Sequence, residues 1–131
     1  MKSQWIEHRG QRIFHIDVSN FELDAEGVRA ELEAAVSVVV KEAKGSVLLL
    51  ADLRGTTMGS DVTGAMRANA PRMKPHFRKA ALVVHVSKMR KVILDTLTLI
   101  IGFMPKRFDD FEKAKDWLAS AASQSDSSSE S

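Results

Sequence analysis

With 131 residues and no cysteine, the chain is expected to form a single domain, and disulfides, thiolate metal sites and thiol nucleophiles are excluded. Its net charge of +2 hides an asymmetry, since residues 62–94 carry eight basic residues and no acid, against 11 basic and 17 acidic residues elsewhere. That division offers one basic face to an anionic partner, while no N-terminal signal core and no bilayer-length apolar window is present, so a soluble, cytoplasmic protein is expected.

Residues 5–8 and 12–18 read as two strands joined by a tight turn at Arg9-Gly10. In the second, Ile13, His15 and Asp17 share one face and Phe14, Ile16 and Val18 the other, as in a sheet with one wetter side. Asp24 is a good N-cap for a long helix stopping at Gly45, with Ala25, Val28, Leu32, Ala35, Val36, Val39 and Ala43 on its apolar face. Glu26, Glu31, Glu33, Lys41 and Glu42 fall mostly on the opposite side. Residues 47–51, VLLLA, form a continuous apolar run that fits a strand buried on both faces of a parallel sheet.

A polar loop with two glycines follows, and Ser60 or Asp61 offers an N-cap for a helix from Asp61 to about Ala70. Pro71 and Pro75 then force breaks or restarts, because each removes an amide donor. Residues 80–86 read as a strand, apolar apart from His85, which is expected to be a hydrogen-bonded core residue. Residues 88–102 read as a helix that is apolar around most of its circumference, and residues 106–108 as a short edge strand. Asp109 or Asp110 caps a last helix with Phe111, Ala114, Trp117 and Leu118 in one stripe. The serine-rich end, residues 122–131, is expected to be disordered. The order predicts an α/β fold over residues 1–121, an N-terminal β-hairpin followed by alternating helices and strands, with about five strands in a mixed, mainly parallel sheet and about four helices.

The segments RGQRIFHIDVSNF, LLLADLRG, MKPHFRKAALVV, MRKVILDTL and RFDDFEKAKDWL resemble the STAS-like superfamily of anti-sigma-factor antagonists, with its SpoIIAA-like fold. They are most similar to its bacterial branch of small "STAS and lipid-transfer-like" proteins, over roughly residues 6–118. None of these segments is a catalytic motif, so the resemblance implies a fold and a non-enzymatic regulatory or protein-interaction role. In the anti-sigma antagonists a regulatory serine follows the central strand within Asp-Ser-Ser/Ala-Gly. The corresponding loop here, Arg54-Gly55-Thr56-Thr57-Met58-Gly59-Ser60, lacks that tetrapeptide but places hydroxyls in the same neighbourhood.

Three candidate sites follow. Thr56, Thr57, Gly59 and Ser60 lie just before a helix N-terminus, where free amides suit a phosphate or carboxylate, although ordinary capping explains the same residues. Arg67, Arg72, Lys74, Arg78 and Lys79 could form a basic contact face, or simply a solvated one; with only Phe77 interleaved there is no stacking platform, and nucleic acid is disfavoured. Met89, Ile93, Leu97, Ile100, Ile101 and Met104 supply more apolar surface than one helix face needs, which suits a deeper core, a homodimer contact or the wall of an apolar pocket. His8, His15, His76 and His85 show no close metal-ligand spacing along the chain, His15 stands one face step from Asp17, and no serine is placed to complete a triad. No catalytic residue, metal or cofactor is assigned. The favoured reading is a contact module with its edge at residues 55–61, meeting a protein partner or a second copy of itself. The alternative is binding or transfer of an apolar, lipid-like ligand beside residues 89–104.

Overall fold

The computed structural model describes residues 1–85 and 105–121. They build a five-stranded sheet in the order β1-β2-β3-β4-β5, from β1 (Gln4–His8), β2 (Gln11–Asp17), β3 (Val47–Asp52), β4 (Phe77–Val83) and β5 (Lys106–Phe108). The β1–β2 pair is antiparallel and the other three are parallel. Its turn needs positive φ at both central positions, met by Arg9 at 52° and Gly10 at 78°, so the two-residue hairpin follows the right-handed strand twist.

Helices α1 (Ala25–Val39) and α2 (Ser60–Met73) cover one face of the sheet, and α3 (Phe111–Ala119) covers the other. The strands β2, β3 and β4 step in one direction across the sheet, so right-handed crossovers between them put both helices on the same side. Alternation sorts the side chains as the period of two requires. Phe14, Ile16, Leu49, Ala80 and Leu82 pack under α1 and α2, and Ile13, Leu48, Leu50, Ala81 and Val83 pack against Ala114 and Leu118 of α3. The expected doubly buried central strand is therefore β3.

Several boundaries differ from the sequence reading. Helix α1 ends at Val39 because Lys41 and Glu42 donate to carbonyls three residues back, which tightens the turn out of helical geometry well before Gly45. Helix α2 starts at Ser60, with Gly59 at the N-cap and no capping side chain, so neither Ser60 nor Asp61 caps it. It also runs through Pro71 to Met73, since Pro71 is exposed and water can serve the carbonyl that its missing amide leaves. Pro75 sits in the 3-10 turn Lys74–His76. Strand β4 begins at Phe77 and ends at Val83, which leaves His85 exposed beyond the strand rather than in the core. Asp110 caps α3 by accepting from the Glu112 amide at 2.9 Å. Three helices appear among the described residues. The apolar helix expected at 88–102, its candidate residues Met89, Ile93, Leu97, Ile100, Ile101 and Met104, and the serine-rich end lie outside them.

One buried charge does structural work that periodicity hides. Glu31, on the face of α1 expected to be polar, is buried and accepts from the amides of Ser3 at 2.7 Å and Lys2 at 3.1 Å, while the Asp17 amide donates to the Ser3 hydroxyl at 2.9 Å. Burial pushes the Glu31 carboxyl up, but the hydrogen bonds from Ser3 and Lys2 outweigh it and hold the group below its ordinary 4.5. A carboxylate with a depressed folded pKa stabilises the fold above its unfolded pKa, and that contribution is lost as the pH falls through the folded value. Glu31→Gln is therefore expected to destabilise the protein at neutral pH and to flatten its acid limb from about pH 5 downward, as read by urea denaturation across pH. An acid limb as steep in the variant as in the parent would assign that limb to other carboxylates.

Candidate functional site

The carboxyl ends of β2 and β3 meet at the edge where α/β sheets carry their ligands. Beyond the last strand residues the pairing continues into the loops. Val18 donates to the Asp52 carbonyl at 3.1 Å, Asn20 to Arg54 at 2.8 Å, Glu22 to Gly55 at 3.0 Å, and Thr57 to Glu22 at 2.8 Å. Thr56 closes this ladder, its hydroxyl donating to the Val18 carbonyl at 2.5 Å and accepting from the Phe21 amide at 3.1 Å. Gly55 is glycine for two reasons. Its φ is +76°, and an added Cβ would lie 2.4 Å from Asn20 Oδ1.

The loop that the sequence singled out is thus half framework and half surface. Thr56 is part-buried and committed on both sides of its oxygen, and Met58 turns inward against the core. Thr57, Gly59 and Ser60 are exposed. Beside them, on the paired loop, Leu23 is 84 % exposed, an apolar side chain that sequence reasoning passed over because it lies in the loop before the Asp24 N-cap, outside any periodic element. The N-terminus of α2 has no side-chain cap, and Asp61 stands in its first turn.

On the α3 side of the same edge lies a second group of polar residues. Asp17 and Asp52 are register partners at the ends of β2 and β3, and His15 stands two residues before Asp17 on the same face. One ligand atom from each of the three falls within 4.8 Å of the others. The Arg54 guanidinium grips Asp52 bidentately, Nε to Oδ1 at 3.0 Å and Nη2 to Oδ2 at 2.9 Å, which raises its own pKa. Phe111 presents its ring to His15 edge-on at 4.9 Å between centroids. Burial pushes the His15 imidazole below its ordinary pKa, and the attraction of Asp17 and Asp52 only partly offsets this. Burial raises the Asp17 carboxyl, but the Ser19 hydroxyl and amide and the Lys2 ammonium outweigh it and hold the group low. Asp52 and Arg54 escaped the sequence reading because their neighbours to His15 come from a different strand.

The basic candidates divide. Arg67, Arg72, Lys74 and Arg78 are exposed, on α2, the 3-10 turn and the start of β4. Lys79 is not part of that face. It is buried under α3, and its ammonium donates to the carbonyls of Trp117 at 2.8 Å, Leu118 at 3.4 Å and Ser120 at 2.9 Å. The strand alternation explains the difference, since Arg78 and Lys79 point to opposite sides of β4. The remaining cluster of Arg72, Lys74 and Arg78 lies at the far end of α2 from Ser60, about 20 Å away at 1.5 Å per residue, so the two candidates form separate surfaces. Between the sheet and α2 is an apolar hollow of about 70 Å³ lined by residues such as Ile16, Leu49, Met66 and Met73.

A family model for SpoIIAA-like domains matches residues 13–119, the stretch from the middle of β2 to the end of α3. The chain belongs to the SpoIIAA-like family. Comparisons with curated proteins and with solved structures give no match. For this SpoIIAA-like domain the membership indicates a STAS-type regulatory or protein-interaction module, and the hairpin, the mixed sheet and the flanking helices are consistent with it. No helix among the described residues is long and apolar enough to cross a membrane.

Proposed function

We propose that the domain is a non-enzymatic regulatory module that meets a protein partner through the loop of residues 55–61 and the neighbouring Leu23. The observation that carries this reading is the combination of a fixed base and an open tip. The ladder from Val18 to Thr57 holds the loop, so binding would cost little ordering, while Thr57, Gly59, Ser60 and an 84 % exposed leucine on the paired loop are open to solvent. An exposed leucine alone is ordinary; beside uncommitted hydroxyls on a pinned loop it supplies an apolar anchor with polar groups around it. A phosphate on Thr57 or Ser60 would add about −1.5 to −2 charges at the start of α2, so modification could switch the contact. Thr56 is poorly placed for that role, because its hydroxyl already serves two backbone groups.

A photoreactive residue at position 57 or 60 is expected to yield a discrete protein adduct in cells, and Leu23→Asp is expected to abolish it without loss of fold. Equal labelling from a photoreactive residue at position 68, on exposed α2 surface, would defeat the assignment of the edge. The alternative of an apolar ligand rests on the residues 89–104 of the sequence. The hollow of about 70 Å³ is well below the roughly 300 Å³ that small-molecule sites begin at, so it does not favour that reading.

A further inference from the structure

We propose that His15, Asp17 and Asp52 form a binding site for a divalent cation of the zinc class, at the carboxyl ends of β2 and β3 on the α3 side. The proposal rests on the state of each ligand atom. Nε2 of His15 is enclosed and has no hydrogen-bond partner among the described residues, although buried polar atoms in folded proteins are nearly always paired. A metal ion bound at that nitrogen would give it the partner it lacks. Asp17 takes the Ser19 amide and hydroxyl on Oδ1, and its Oδ2 accepts no hydrogen bond among the described residues. Asp52 Oδ1 accepts from the Arg54 amide at 3.1 Å and from Nε at 3.0 Å, and Oδ2 accepts from Nη2 at 2.9 Å; a carboxylate has about four lone-pair sites, so one remains, on Oδ2.

The surroundings fit a metal better than a core contact. Ser19 and Arg54 hold the two carboxylates in place, as the outer hydrogen bonds of metal sites orient their ligands. Phe111 packs on the imidazole and limits its rotation. Asp52 is buried, while Asp17 and Arg54 are part-exposed, so an ion has a path in from the sheet edge. Bonds of about 2.0–2.2 Å require the three atoms to close from within 4.8 Å by about an ångström, a shift small enough for the Ser19, Arg54 and Phe111 contacts to follow. One nitrogen and two oxygens favour zinc, cobalt or manganese over magnesium or calcium, which prefer oxygen alone. Three protein ligands leave further positions for water or an exchangeable group.

The test uses the full chain after chelator treatment, titrated with zinc chloride by calorimetry and with cobalt chloride by visible absorption. One ion per chain is expected, with binding weakened about a hundredfold or more in Asp17→Asn and in His15→Ala. Asp116→Asn, which removes the charge from the part-buried His8–Asp116 pair, is expected to leave it unchanged. If His15→Ala fails to fold, nitrogen NMR of the labelled parent protein decides, because Nε2 of His15 must shift on one equivalent of zinc. No stoichiometric binding, an unmoved Nε2 resonance, or equal loss in Asp116→Asn would each overturn the site. The outcome is independent of the partner contact at residues 55–61.

Discussion

Lys79→Ala is expected to lower the unfolding free energy by about 3 kcal/mol, because hydrogen bonds from a charged donor are worth about 1.5–3 kcal/mol each and do not add fully. The ammonium donates to three carbonyls at the end of α3, of which Trp117 alone also accepts from the Ser120 amide at 3.1 Å, and it sits where the helix dipole is negative. Its stem fills space below α3, and the charge lies 4.9 Å from the centre of the Trp117 ring. Truncation therefore takes the charged donor from the buried Leu118 carbonyl and the part-buried Ser120 carbonyl and opens a void at once. Lys79→Met separates the two losses, since it keeps most of the stem and removes the donor. We expect it to recover less than half of the alanine deficit in urea denaturation. A methionine variant as stable as the parent would show that packing, not the cap, matters at this position.

Gly55→Ala is expected to cost about 2–4 kcal/mol, combining a left-handed backbone penalty of about 1–2 kcal/mol with a steric clash. The new Cβ would lie 2.4 Å from Asn20 Oδ1 and 3.3 Å from Asn20 Cα. Asn20 cannot retreat freely, since its own φ is 58° and its amide donates to Arg54. The loops would have to separate, and the Asn20, Glu22 and Thr57 amides should then exchange with solvent much faster. Gly10→Ala is the matched control. It has the same sign of φ, at 78°, and open space around the added methyl, so it should show the strain without the clash. If both variants lose equal stability, the Asn20 contact is compliant and the base of the proposed contact edge is less fixed than the hydrogen bonds imply.

Local chemistry made much of the architecture legible from residues alone. The alternation in β2, the unbroken apolar run of β3, the Arg9-Gly10 turn and the Asp24 and Asp110 caps each express a preference that acts over a few residues. So does the short strand Lys106–Phe108. The departures share one cause. Gly59 at the α2 N-cap, Pro71 within that helix and the end of α1 at Val39 are set by where the helices must pack and by which backbone groups water can reach.

Charged residues were the least legible of all. Lys79, Arg78 and Glu31 look alike as solvated charges along the chain, yet Lys79 closes a helix 38 residues away and Glu31 grips the N-terminus 28 residues back. His15 and Asp17 could be placed on one face by the strand period, but Asp52 and Arg54 join them only because β3 pairs in parallel with β2. Sequence by itself determined the described elements, the strand faces and the place of the loop after β3, since those depend on periodicity and short-range hydrogen bonding. Only the tertiary structure decided which charges are buried, which hydroxyls are committed and which ligand atoms converge, because each of those depends on strands and helices that meet across long stretches of chain.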